Sequence, residues 1–126
     1  MAYQRKIEKD IRCPLEYGLD VFGGKWNSRI ICVLANKKTL RYTELRNEMG
    51  NITDAVLAAT LKDLVHNGLV VRKAYNEIPP KVVYELSERG ESVVPILQSF
   101  CRWAGVTYSE EDDFKKILCK KCNYQG

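Results

Sequence analysis

The most reactive side chains in this chain belong to five cysteines and a single histidine. Cys119 and Cys122 have the spacing of zinc ligands or of a redox pair. One such pair supplies half of a tetrahedral site, and a mobile tail without metal is the alternative, so no metal is predicted. Cys13 lies beside Arg12 at the start of an expected helix, where both features stabilise a thiolate. A small packed residue is the alternative for Cys13.

The sequence does not arrange these groups for catalysis. His66 has no serine or cysteine partner that the sequence places near it, and no glycine-rich phosphate loop or catalytic metal motif is present. The acidic run at 110–113 is typical of a solvated helix start. Cys32 lies among apolar neighbours and is expected in the core, and Cys101 in the core or an interface. We therefore expect neither enzymatic activity nor a cofactor.

Length and composition indicate one soluble domain. The chain has 126 residues, of which 45% are hydrophobic and 29% charged, as in ordinary globular proteins. No run of about 18 apolar residues could span a membrane, and the N-terminus lacks the apolar region of a secretory signal. An odd number of cysteines argues against a disulfide framework. We expect a cytoplasmic protein with a single domain over 1–126, comprising an N-terminal arm (1–12), a core (13–105) and a C-terminal extension (109–126).

The positive charge is concentrated in the middle of the chain. The net charge is +4, and residues 37–81 hold eight basic and five acidic side chains. Such a local excess suits a nucleic-acid-binding surface. A solvated surface without a partner is the alternative.

Apolar spacing predicts four helices before residue 68. The first begins at Pro14 and stops at Gly23-Gly24, the second begins near Lys25 and ends at 36–39, the third covers 42–49, and the fourth covers 53–66 with Thr53 as N-cap. Leu40 and Arg41 form an extended link.

The pattern then changes to strands. Residues 69–75 and 81–86 are predicted to form the two strands of a hairpin. The segment 76–80 between them cannot continue the first strand, because its two prolines remove two hydrogen-bond donors, and it therefore forms the tip. Ser87 is the expected N-cap of a last long helix that contains Pro95. This order predicts a mainly α (α+β) winged helix-turn-helix with a two-stranded wing.

Several segments resemble the HxlR family of winged-helix regulators, relatives of the MarR type. The matching pieces are Cys13-Pro14, Gly23-Gly24-Lys25-Trp26, Arg41-Tyr42-Thr43-Glu44-Leu45, Asn51-Ile52-Thr53, Gly68-Leu69-Val70, the run from Tyr75 to Ser87 with its double proline, Gly90 and Trp103. The resemblance implies a one-component transcription regulator that binds duplex DNA as a homodimer. It also implies that the N-terminal helix and the long C-terminal helix form the dimer interface. It also implies oxidant or electrophile sensing through Cys13, as in some family members.

A helix in the major groove reads base edges with its outward residues. With leucines 57, 61 and 64 turned inward, the predicted outward positions are Asp54, Ala55, Ala58, Ala59 and Lys62. This departs from the family pattern of glutamine, basic residues and threonine. Alanine can touch only a thymine methyl group, and Asp54 can accept from a cytosine amino group but repels phosphate. The sequence therefore predicts few direct contacts between this helix and base edges. The alternative role of Asp54 is to stabilise the helix N-terminus.

Other DNA-binding candidates flank this helix. Basic residues near the wing tip suit phosphate or minor-groove contacts, and a helix start can hold a phosphate. The candidates are Arg72, Lys73 and Lys81 in the wing, Asn27, Ser28 and Arg29 at the second helix, Arg41 and Tyr42 before the turn, and Thr53 at the fourth helix.

A winged helix used for protein interaction without specific DNA binding is the alternative function. The small outward side chains at 54–59 favour it, whereas the basic set favours DNA. Trp26, Phe100 and Trp103 could line an effector pocket, although core or interface positions are more usual for such residues. The expected partners are operator DNA and a second copy of the chain, with no membrane and an effector that the sequence does not identify.

Overall fold

The computed structural model describes residues 10–108, which form five helices and three strands. They are α1 (Pro14–Val21), α2 (Lys25–Lys37), β1 (Thr39–Arg41), α3 (Tyr42–Met49), α4 (Asp54–His66), β2 (Val70–Tyr75), β3 (Lys81–Leu86) and α5 (Glu88–Tyr108). The acidic run at 110–113 and the Cys119/Cys122 pair lie outside the described residues. No helix within 10–108 is long and apolar enough to cross a membrane.

Local signals set the ends of the two central helices. Gly50 follows α3 with a φ of 89°, a conformation that favours glycine. The Thr53 hydroxyl accepts a hydrogen bond from the Val56 N–H at 3.2 Å and caps α4. Gly68, with a φ of 78°, follows the end of α4. The predicted helix-turn-helix of α3 and α4 is confirmed.

The sheet has one strand more than predicted, and the order is β1-β3-β2, all antiparallel. The expected link at Leu40 and Arg41 is part of β1, which pairs with β3 so that Leu40 lies opposite Tyr84. The physical reason is that Leu40 packs against the core while its backbone covers an otherwise unpaired edge of β3. Because β1 reaches only Val83, the outer part of the hairpin remains two-stranded.

The core is centred on α2. Ile30, Ile31 and Leu34 of α2 are fully buried, as is Leu45 of α3. The predicted inner face of α4 is confirmed, since Leu57, Leu61 and Leu64 are at most 3% exposed. The helix-turn-helix is therefore held on α2 by close apolar packing.

Ser87 joins the end of α4 to the start of α5. Its hydroxyl donates to the Gly68 carbonyl at 2.6 Å and accepts from the Gly90 N–H at 3.0 Å. Its backbone N–H donates to the Leu69 carbonyl at 3.0 Å. The predicted cap is thus confirmed and also fixes the turn after α4. The helix α5 continues through Pro95.

We predict that Gly90→Ala destabilises the fold strongly. Gly90 is buried, and an added Cβ would overlap the Leu69 carbonyl oxygen. Relieving such overpacking costs about 1–3 kcal/mol of the free energy of unfolding. The control is Gly18→Ala, because nothing lies within 4 Å of an added Cβ at this helical position. It should raise stability by about 0.5–1 kcal/mol. Urea unfolding at a fixed protein concentration checks both, and equal effects would contradict the prediction.

Candidate nucleic-acid interface

The helix α4 presents small and polar side chains at most of the predicted positions. Asp54, Ala55, Ala58 and Lys62 are exposed, as predicted. Ala59 was also predicted to face outward, but it is half-buried. Ala59 precedes Thr60, which is buried and donates its hydroxyl to the Val56 carbonyl at 2.7 Å. The outward face of α4 is consequently narrower than the sequence suggested.

A three-residue cluster joins α3 to the first residue of α4. The Tyr42 hydroxyl lies 3.3 Å from both the backbone carbonyl oxygen and the Oδ1 atom of Asp54. Arg46 Nε lies 3.1 Å from the same Oδ1. Partial burial raises the pKa of Tyr42, and the Asp54 charge raises it further, so the hydroxyl stays a donor. The sequence reasoning missed Arg46, because its partner lies across the turn and no short spacing links them.

Tyr42 also connects this cluster to the wing. Helix α3, which begins at Tyr42, contacts β3, and Tyr84 of β3 lies directly opposite Arg72 in the sheet. Arg41 is exposed and precedes Tyr42, and its backbone N–H donates to Glu44 at 2.8 Å. The start of α4, the start of α3 and the base of the wing therefore form one continuous surface.

The basic residues of the wing differ in their surroundings. Lys73 forms an ion pair with Glu85 at 2.7 Å, and Glu85 also accepts from the Thr39 hydroxyl at 3.1 Å. The Lys81 ammonium lies 5.6 Å from the centre of the Tyr75 ring, within the range of a cation–π contact. Arg72 is exposed on the opposite face of β2. Lys73 is thus already paired with a carboxylate.

The start of α2 is engaged within the protein. The Asn27 side-chain amide donates to the Val21 carbonyl at 2.7 Å and so ties α2 to the end of α1. The Arg29 guanidinium is exposed and lies 5.1 Å from the Trp26 ring centre. Ser28 is half-buried. Of these three candidates, Arg29 has the most exposed side chain.

Cys13 occupies the N-cap position of α1, where the sequence placed it, and is exposed. The neighbouring Arg12 N–H donates to the Glu16 carboxylate at 2.9 Å, so a negative charge also lies at this helix start. Cys101 is exposed, and Cys32 is half-buried rather than fully in the core. No disulfide joins cysteines within the described part of the chain, and residues 10–108 contain no group of three metal-ligating side chains.

The architecture and this surface define a winged helix-turn-helix protein. The model of the HxlR-like helix-turn-helix family matches residues 21–112. The chain belongs to this family of transcriptional regulators, as the resemblance indicated. Membership of a regulator family points to a non-enzymatic role.

Related proteins support the same class. An HTH-type transcriptional regulator of Halalkalibacterium halodurans is 40% identical over 101 residues, which are 80% of this chain and 89% of the relative. The reduced form of the transcriptional regulator YodB from Bacillus subtilis has a TM-score of 0.73 and 32% identity, covering 81% of this chain and 100% of YodB. The redox regulator HypR in its oxidized form has a TM-score of 0.67 and 36% identity, covering 75% of this chain and 96% of HypR.

We predict that Lys73→Ala raises the pKa of Glu85 towards its ordinary value of 4.5, because the hydrogen bond from Lys73 is the largest cause of its lowering. A lowered folded-state pKa gives stability that is present above the unfolded pKa and is lost as the pH falls through the folded pKa. The loss of stability should be small, because Lys73 is exposed and Glu85 only half-buried, so that solvent screens the pair. Carboxyl NMR titration measures the shift. Arg72→Ala, on the other face of β2, is the control and should leave the Glu85 pKa unchanged. An unchanged Glu85 pKa in Lys73→Ala would mean that the ion pair does not form in solution.

Proposed function

We propose that this chain is a sequence-specific regulator of transcription that binds double-stranded DNA as a homodimer in the cytoplasm and responds to oxidants or electrophiles through Cys13. The observation that carries the DNA-binding part is the continuous surface from the start of α4 to the wing. The helix α4 inserts into the major groove, and the hairpin contacts the flanking backbone or minor groove.

Positive charge at the edges of this surface supports the phosphate contacts. Arg72 and Arg41 are exposed, and Lys81 is half-buried beside the Tyr75 ring. These three residues are the strongest phosphate candidates, since Lys73 is neutralised by Glu85. Ala55 and Ala58 can contact thymine methyl groups, and Lys62 lies further along α4. With so few base-reading side chains, DNA shape supplies part of the specificity.

Exposed apolar stripes on α1 and α5 support the homodimer. On α1, Leu15 and Leu19 are 69% and 58% exposed. On α5, Ile96, Phe100 and Trp103 are 64%, 56% and 71% exposed, and their spacing places them on one helical face. Contiguous apolar surface of this kind is characteristic of an interface. The resemblance assigns the same two helices to dimer contact.

The redox part rests on Cys13 and on the structural relatives. Cys13 is an exposed thiol at the N-cap position of α1, so an oxidant or electrophile in solution can reach it. It also borders the α1 stripe assigned to the dimer. Oxidation there would alter the interface that sets the separation of the two α4 helices, and hence the fit to DNA half-sites.

We predict salt-dependent binding to duplex DNA from upstream of the protein's own gene. Three basic contacts per protomer give six in the dimer, hence a slope of log K against log salt of roughly −5. Arg72→Ala should reduce the magnitude of this slope by about 2, one contact per protomer. Lys37→Ala is the control, since Lys37 pairs with Glu48 outside this surface. Mobility-shift titrations at several salt concentrations measure the slopes.

The same titration repeated with reduced and oxidised protein tests the sensor. Oxidation should change the affinity of the wild type and not that of Cys13→Ser. Salt-dependent binding that is indifferent to oxidation would remove Cys13 as a sensor and keep the regulator. If neither state binds duplex above nonspecific levels, the chain is a protein-interaction module.

We predict that Trp103→Glu converts the dimer to a monomer. Loss of a central aromatic residue and burial of a charge should weaken association by about 2–4 kcal/mol. The control is Ile78→Glu, because Ile78 is 102% exposed but lies at the hairpin tip. Sedimentation equilibrium distinguishes the states. A dimeric Trp103→Glu variant would exclude this α5 stripe as the interface.

A further inference from the structure

The cluster at the start of α4 has hydrogen-bonding capacity that the protein does not use. Both side-chain contacts of Asp54 involve Oδ1, and the contact of Arg46 involves Nε. Within residues 10–108, no hydrogen bond is formed by Asp54 Oδ2 or by the terminal nitrogens of Arg46. The Asp54 and Arg46 side chains are 68% and 47% exposed. A free acceptor and a free two-nitrogen donor edge therefore lie side by side on the surface.

This arrangement matches the major-groove edge of one base pair. Guanine presents two adjacent acceptors, N7 and O6, and its cytosine partner presents the N4 amino donor. An arginine donates to the guanine pair of acceptors, and an aspartate accepts from cytosine N4. In an A·T pair, the adenine N6 donor lies between two acceptors, adenine N7 and thymine O4. The donor edge of Arg46 beside the Asp54 acceptor matches this order less well.

We propose that Arg46 and Asp54 act as one unit that reads a G·C base pair, with Arg46 donating to guanine O6 and N7 and Asp54 accepting from cytosine N4. This deepens the proposed function and rests on it. Arg46 thereby becomes a specificity residue that lies on α3 rather than on the recognition helix α4.

The ion pair prepares both side chains for this role. Holding Arg46 at Nε restrains its guanidinium, so less rotamer freedom is lost when its outer edge meets a base. Arg46 also offsets the repulsion between the Asp54 charge and nearby phosphates. Tyr42 holds the carboxylate from the other side, with a hydroxyl that a raised pKa keeps protonated. Exposed ion pairs contribute little to folding, so stability alone gives little reason for this one.

The test is selection of preferred duplexes from a random library by the full chain and its variants. The wild type should select a G·C pair at one position of each half-site. Replacing that pair by A·T, or its guanine by 7-deazaguanine, should weaken binding roughly 5- to 150-fold, the range for one bidentate base contact. Asp54→Asn should shift the preference at that position towards A·T, because asparagine pairs with adenine N6 and N7. A shift in base preference is a result that a merely structural brace would not give.

Two further variants separate base reading from charge and from folding. Arg46→Lys keeps the charge but lacks the planar fork, so it should retain the salt dependence and lose the guanine preference. The matched control is Glu48→Ala. Glu48 lies on α3, as Arg46 does, and this substitution breaks its ion pair with Lys37 of α2. It should leave every base preference unchanged. Thermal unfolding of each variant verifies that it is folded before selection.

The outcomes are distinguishable. If the wild type selects a defined sequence and both Asp54→Asn and Arg46→Lys keep all its base preferences, this inference is overturned while DNA binding stands. An A·T preference of the wild type at the position that these variants affect would also overturn it. If the wild type selects no sequence, the proposed function fails and this inference fails with it.

Discussion

Burial of α2 is the constraint on which the rest of the structure depends. Its residues Ile30, Ile31 and Leu34 have no exposed surface, and the helix contacts α3, α4, α5, β1 and β3. In a domain of this size one buried helix supplies much of the apolar area that stabilises folding. Because each of these elements packs on the same central helix, their relative positions follow from one set of contacts.

That packing has a consequence for charge. Because most apolar residues of the helix-turn-helix pack into the core, its outer surface consists mainly of polar or small side chains, apart from Val56 and Val65, which are each 37% exposed. The opposite charges there are arranged in pairs, as in Arg46 with Asp54 and Lys73 with Glu85. Pairing lowers the net field of the surface. The exposed side chains of Arg41 and Arg72 form no ion pair within residues 10–108, so these two arginines become the main sources of attraction for a polyanion.

Most of the architecture could be predicted from the sequence, because its signals are local. Helix caps at Thr53 and Ser87 and the glycines after α3 and α4 act within a few residues, and all were identified. The pairing of β1 with β3 was missed, because its partners lie more than 40 residues apart in the chain and three residues carry little alternation. The half-buried position of Ala59 was also missed, since a methyl group gives no periodic signal of its own.

The candidate site was less predictable than the fold, because its contacts join residues that are not close neighbours in the chain. Residue type placed Asp54 at the start of α4, but its pairing with Arg46 depends on how the turn brings α3 against α4. Likewise, charge alone did not distinguish Lys73, which is paired, from Arg72, which is exposed. Contacts between side chains across a turn or a strand need the three-dimensional arrangement, whereas caps need only the neighbouring residues.

The Ser87 hydroxyl couples the position of α5 to the end of α4. It binds the carbonyl that follows α4 and the first turn of α5 at once. The first turn of α5 also lies so close to Leu69 that a methyl group at Gly90 would not fit. A rigid rotation of α5 must therefore carry the end of α4 with it or break these bonds. A movement of α5 is therefore transmitted to the C-terminal end of α4 through the contacts of Ser87.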